Sequence, residues 1–145
     1  MNGISIRPMF IEDYEAVVRV WQEAGLPFRP HGRDRKDRIE AEMEQGTAVF
    51  LVAESGGKIV GVVLGTHDGR RAWVNRLAVS PAYQRHGIAR RLVREVEART
   101  EALGIEICAA LIESENEASM AFFGSIGYLH GPDIEYVSKR RSADT

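Results

Sequence analysis

Arg76-Leu77-Ala78-Val79-Ser80-Pro81-Ala82-Tyr83-Gln84-Arg85-His86-Gly87-Ile88-Ala89 is the stretch whose reading decides the fold. An apolar strand, Ala72–Val79, ends at Ser80-Pro81, where proline cannot donate to a sheet ladder. A short loop follows, and Gly87 opens a long helix, Gly87–Leu103, with Ile88, Leu92, Val96 and Leu103 on one face. Gly104 closes it, and Ile105–Ile112 reads as a second buried strand. Strand, helix, strand needs a crossover and therefore a parallel pair, right-handed by strong preference.

Upstream the chain reads differently. Met1–Pro8 is a short strand, Phe10–Ala24 a helix stopped by Gly25, Leu26–Lys36 a loop rich in Arg and Pro, and Asp37–Gln45 a short amphipathic helix. Thr47–Glu54 and Lys58–His67 are apolar runs joined by Ser55-Gly56-Gly57, and Asp68-Gly69 turns into Ala72–Val79. Three strands joined by tight turns make an antiparallel meander. Downstream, Glu117–Ser125 is a helix, and Tyr128–His130 with Ile134–Lys139 are expected as two closing strands. The fold class is α/β, or α+β with a mixed sheet: antiparallel first, then parallel at one junction. Residues 1–141 form one domain and 142–145 a frayed tail.

Composition narrows the function. A chain of 145 residues, 44% hydrophobic and 28% charged, fits one globular domain. Lys and Arg total 19 against 21 Asp and Glu, a net charge of -2, which argues against nucleic acid or an anionic membrane as partner. One cysteine, Cys108, excludes a disulfide framework and a cysteine-built zinc site. His31, His67, His86 and His130 lack metal-ligand spacing, so no metal is expected. The apolar runs Ala48–Ala53 and Ile59–Leu64 are too short to span a bilayer, and no basic stretch leads into an apolar leader. A cytoplasmic protein is the expectation.

The loop before the long helix carries the chemistry. The first turn of a helix offers unpaired N–H groups and the positive end of the macrodipole, so it attracts anions. Gly87 lacks a Cβ and Ala89 is small, which would let a diphosphate approach the backbone. Arg90 and Arg91 occupy a turn that normally favours acidic residues, and Gln84 and Arg85 precede it. A plain connecting loop with solvated arginines is the competing reading. No G-x-x-x-x-G-K-[ST] and no G-x-G-x-x-G follows a strand, so both common nucleotide motifs are absent.

Leu77-Ala78-Val79 with Gln84-x-x-Gly87-x-Ala89 resembles the acetyl-CoA-binding signature of the GNAT N-acetyltransferases, an R/Q-x-x-G-x-G/A loop after an L-A-V strand. Asn116, Phe122, Phe123, Gly127 and Tyr128 fall where that family has Asn, an apolar-aromatic pair and Gly-Phe, and the element order is similar along essentially the whole chain. The resemblance implies acetyl transfer from acetyl-CoA to a primary amine of a small molecule or peptide by direct attack. It implies a cofactor between splayed strands Ala72–Val79 and Ile105–Ile112, held by Leu77, Ala78 and Val79. It also implies a pyrophosphate on the backbone of Arg85, His86, Gly87, Ile88 and Ala89, with Gln84 and Arg90 beside it, and contacts from Asn116, Phe122 and Phe123. Dimers are common among such proteins. Asn116 has a second reading as a turn residue beside a Ser114-x-x-Glu117 capping box.

The catalytic groups are less marked. The family's helix tyrosine, which protonates the leaving thiolate, corresponds to Phe123, so Tyr128, Tyr83, water or the substrate would serve instead. Glu113, just past the second splayed strand, is the first candidate base; Asn75 would position a water, and Asp68 or His67 are alternatives. The Phe at position 123 also leaves open a catalytically weak acyl-CoA-binding or sensor protein.

Overall fold

The computed structural model describes residues 3–143. Five strands lie in sequence order: β1 (Ile4–Pro8), β2 (Ala48–Ser55), β3 (Lys58–His67), β4 (Arg71–Val79) and β5 (Ile107–Ala110). Pairing is antiparallel through β4, and β4–β5 is parallel. The helices are α1 (Tyr14–Glu23), α2 (Lys36–Glu44), α3 (Ile88–Glu101) and α4 (Glu117–Ser125). Gly56 and Gly57, both at positive φ, close the β2–β3 hairpin in a two-residue turn that suits the strand twist. Among the described residues no helix is long and apolar enough to cross a membrane.

The apolar runs of β2 and β3 are continuous because both faces of the sheet are covered. Leu51, Ala53, Val60 and Val63 face Ile88, Leu92, Val93 and Val96 of α3. Phe50, Val52, Val62 and Leu64 face Val17, Val20 and Trp21 of α1 and Ile39 of α2. Two glycines set the height of α3 above the sheet. A Cβ on Gly65 would lie 2.9 Å from Val49 O and 2.9 Å from Val96 Cγ1, and one on Gly61 3.2 Å from Ile88 Cγ2.

One irregularity shapes the rest. Val62 pairs with Ala78 and Leu64 with Asn75, so Arg76 and Leu77 oppose the single residue Val63. Arg76 takes a left-handed backbone, φ 51°, uncommon for a side chain of this size. Pairing between β4 and β5 runs from Arg71↔Ile107 to Val74↔Ala110 and stops there, directly before the bulge.

The C-terminal part departs from expectation. Neither Tyr128–His130 nor Ile134–Lys139 forms a strand. Alternating apolar residues are there, but a strand needs a partner edge, and Leu129, Ile134 and Val137 are 95%, 78% and 87% exposed. β5 is shorter than Ile105–Ile112. Ile105 packs inside without pairing, and Leu103 lies past the end of α3, exposed to solvent.

Candidate active site

A cleft of about 1320 Å³ opens where β4 and β5 part. Arg85, Gly87, Ile88, Ala89 and Arg90 line one end, Leu77, Ala78 and Val79 its middle wall, and residues of α2 and the loop before it the other end. From Asn75 to Val79, β4 keeps β3 on one side and, among the described residues, has no strand on the other. That edge offers backbone donors and acceptors to an extended ligand, apart from Val79 O, which accepts from Gln84 Nε2.

The loop into α3 is pinned to the strand it leaves and turns sharply into the helix. Gln84 Nε2 donates to Val79 O at 3.0 Å, fastening the loop to the strand end. Arg85 and Gly87 are both left-handed, φ 67° and 77°. The first helical bond is from Arg91 N–H to Gly87 O at 3.0 Å, so the preceding N–H groups lie ahead of the ladder. No acidic residue occupies the first turn. A Cβ on Gly87 would meet nothing within 4 Å of the protein, so within the chain glycine is required here by its backbone angle, not by crowding.

The bulge is held from the other side of the cleft. Arg76 ion-pairs with Asp34, donates to Pro27 O, and lies over the Trp21 ring with its guanidinium carbon 5.5 Å from the centroid. Asp34 is 4% exposed and also accepts from Arg29 N–H, while Tyr14 Oη donates to Asp34 O at 2.8 Å. Sequence reading passed over this pair. Its signal was an arginine inside an apolar strand and a lone Asp in a basic loop.

Among the expected catalytic and aromatic residues, Glu113, Asn75, Asn116, Phe122 and Phe123 line the cleft together. Asn75 Nδ2 donates to Thr66 Oγ1 at 3.2 Å. Asn116 caps α4, its Oδ1 accepting from Ser119 N–H at 3.0 Å, and Ser114 pairs with Glu115, so no Ser114–Glu117 box forms. His86 belongs to the loop but not to the cleft wall.

Tyr128 is also placed elsewhere. Its hydroxyl donates to Glu97 Oε2 at 2.7 Å and lies 3.2 Å from Cys108 Sγ, with its ring edge-on to Phe123. Burial and these two contacts push its pKa up, so it keeps its proton on the far side of the Phe123 ring. The tyrosines that do line the cleft are Tyr83 and Tyr136. Asp68 is outside too, its carboxylate accepting from Arg70 and Arg71 N–H.

One further acid was not singled out by sequence. Glu42 of α2 lines the cleft, half-buried, and its carboxylate has no hydrogen-bond or ion-pair partner among the described residues. Burial pushes its pKa up, against the pull of Arg38 and with a small push from Asp34. Among the described residues no group of three or more His, Cys, Asp or Glu is placed to hold a metal ion.

Residues 14–128 match a model of the acetyltransferase (GNAT) family. Several solved structures share the fold. The PaiA N-acetyltransferase of Thermoplasma acidophilum, in complex with coenzyme A, aligns at TM-score 0.76 and 22% identity over 86% of this chain and 88% of its own. The aminoglycoside acetyltransferase AAC(6')-Iy, with a bisubstrate analogue, aligns at 0.80 and 17% over 94% and 98%. The ribosomal-protein-S18-alanine N-acetyltransferase of Escherichia coli aligns at 0.72 and 20% over 86% and 76%.

Proposed function

Because the chain belongs to the GNAT acetyltransferase family, we propose that it binds acetyl-CoA in the cleft between β4 and β5 and transfers the acetyl group to the primary amine of a small molecule or peptide. One observation carries this reading. The edge of β4 that no strand covers among the described residues leads directly into the loop that opens α3, whose N–H groups lie ahead of the helical ladder, in a single continuous cleft. That donor set suits a ligand with an amide-bearing arm and a diphosphate.

Acetyl-CoA supplies an activated acyl group, a thioester open to attack by an amine. The chain supplies the rest. Backbone groups of Leu77 and the N–H of Val79 bind the extended arm along the strand edge, with Ala78 between them, while Val79 O stays with Gln84. N–H groups from Arg85 to Ala89 take the diphosphate, and the Arg85 and Arg90 side chains add positive charge at the same end. Phe122 and Phe123 close the wall with apolar surface, and Asn116 sits where α4 begins. Glu113 accepts the amine's proton, directly or through a water held by Asn75. Phe123 has no proton to give, but a thiol of pKa about 8.5 leaves readily as thiolate, so the chemistry does not require one. The orientation of Tyr128 removes it from this scheme.

The test is thermal unfolding with increasing acetyl-CoA, for the wild type and for Gly87→Glu and Arg90→Glu. A ligand bound only by the folded state raises Tm with concentration. The wild type is expected to respond and both variants to respond less, since each puts negative charge at the diphosphate end. A wild type indifferent to acetyl-CoA overturns the assignment, as does an equal response from Arg90→Glu, which leaves the Gly87 backbone intact.

A further inference from the structure

The backbone of β4 changes its facing at the bulge. Ser80 N–H donates to Val60 O at 2.8 Å, and Ala78 stands opposite Val62, so Ala78 and Ser80 turn their backbone groups towards β3. Leu77 and Val79, which alternate with them, turn theirs to the edge that no strand covers among the described residues. Val79 O, which accepts from Gln84 Nε2, fits that arrangement.

The extra residue of the bulge is what creates it. Were Arg76 extended, it would stand opposite Val63, and Leu77 would take the place of Ala78 opposite Val62. Leu77 and Val79 would then face β3, and Ala78 the open edge. The bulge thus decides which backbone groups a ligand lying along β4 meets. It is also the disfavoured conformation, because at φ 51° a side chain is penalised and glycine is not.

What holds Arg76 there lies outside the sheet. Its guanidinium pairs with Asp34, donates to Pro27 O and lies over the Trp21 ring. Asp34 and Pro27 belong to the loop between α1 and α2, and Trp21 to α1. In a regular ladder Arg76 would share the face of Val63, which packs with α3, and would leave the face that carries Trp21. That move strips a buried carboxylate of its cation, which is strongly unfavourable. The ion pair therefore opposes the return of β4 to regular pairing.

We propose that Arg76 and Asp34 are positioning residues for acetyl-CoA: by holding the bulge, the pair presents the backbone groups of Leu77 and the N–H of Val79 to the cofactor's extended arm. The inference deepens the proposed function and rests on it for the identity of the ligand. The loop between α1 and α2 governs acetyl-CoA affinity through the register of β4. By linkage, bound acetyl-CoA strengthens the docking of that loop by the same factor.

The experiment uses the full chain, at a temperature where circular dichroism shows each variant folded. Amide hydrogen exchange is read residue by residue by NMR, and acetyl-CoA affinity by calorimetry, for the wild type, Arg76→Ala, Arg76→Gly and Asp34→Asn. In the wild type without ligand, the Ala78 amide is expected to exchange much more slowly than the Leu77 amide. Arg76→Ala and Asp34→Asn should speed exchange at Ala78 and weaken acetyl-CoA binding by about tenfold or more. Arg76→Gly, free of the left-handed penalty, should keep Ala78 protected and bind acetyl-CoA more tightly than Arg76→Ala does. A merely structural role would lower stability without moving the exchange pattern or the affinity of the folded chain. A wild-type Leu77 amide as slow as that of Ala78, unchanged affinity in both Arg76→Ala and Asp34→Asn, or equal weakening in Arg76→Ala and Arg76→Gly overturns the proposal. Should Arg76→Ala fail to fold, Asp34→Asn, which keeps the shape of the side chain, decides the matter. Wild-type binding with unimpaired variants overturns this inference alone, whereas a wild type that binds no acetyl-CoA overturns the proposed function and this inference with it.

Discussion

Removing the Arg76 side chain takes away the group that ties the β4 bulge to the loop between α1 and α2. Asp34 is 4% exposed in the wild type, and Arg76→Ala leaves only the Arg29 N–H against its carboxylate. Breaking one member of a buried pair costs about 3–5 kcal/mol. The backbone adds a second, separable contribution. At φ 51° both Arg and Ala bear the left-handed penalty, whereas Gly does not, so Arg76→Gly should be more stable than Arg76→Ala by about 1 kcal/mol. The assay is urea unfolding at 25 °C of Arg76→Ala, Arg76→Gly, Asp34→Asn and the Arg76→Ala/Asp34→Asn double variant. If the pair acts as a unit, the double variant loses much less than the two singles added together. Additive losses would refute the ion-pair reasoning. An Ala variant as stable as the Gly variant would refute the strain.

Three further outcomes follow from the same structure. Glu42 has a raised pKa, so between its unfolded value of 4.5 and its native value the native state binds more protons, and this group's contribution to stability falls as pH rises through that interval. Glu42→Gln should therefore have a higher Tm than the wild type at pH 7, with the gain vanishing below pH 4.5. Tyr128→Phe should lose about 1 kcal/mol in urea unfolding, from the hydroxyl's bond to Glu97, and leave turnover unaltered; reduced turnover at undiminished stability would return Tyr128 to the chemistry. Gly65→Ala should cost about 1–3 kcal/mol by pressing α3 away from β3, and a neutral result would mean that Val96 moves aside freely.

What could be read from the sequence was whatever has a local cause. The Gly56-Gly57 turn, the Asp68-Gly69 turn and the start of α3 depend on neighbouring residues, and they fix strand order through β4. Features made by distant residues were not legible. Gly61 and Gly65 matter because of Ile88, Leu92 and Val96 on α3. The Arg76–Asp34 pair joins positions 42 apart. Tyr128 matched a motif position, yet Glu97 and Cys108 decide where its hydroxyl points. Nothing in the sequence singled out Glu42 on its short helix, and only the fold brings it to the cleft wall. The closing strands were misread because alternation marks a face and says nothing about whether an edge is there to pair with it.

The most direct test of the central claim is the rate of free thiol release from acetyl-CoA with benzylamine and other small primary amines, against the matching alcohols, with the product examined by mass spectrometry. The account predicts thiol release that depends on both protein and amine, with one acetyl group gained on nitrogen. Acetyl-CoA that raises the melting temperature while no amine raises thiol release above the protein-free background would contradict it, and would mark the chain as an acyl-CoA-binding protein that does not turn over.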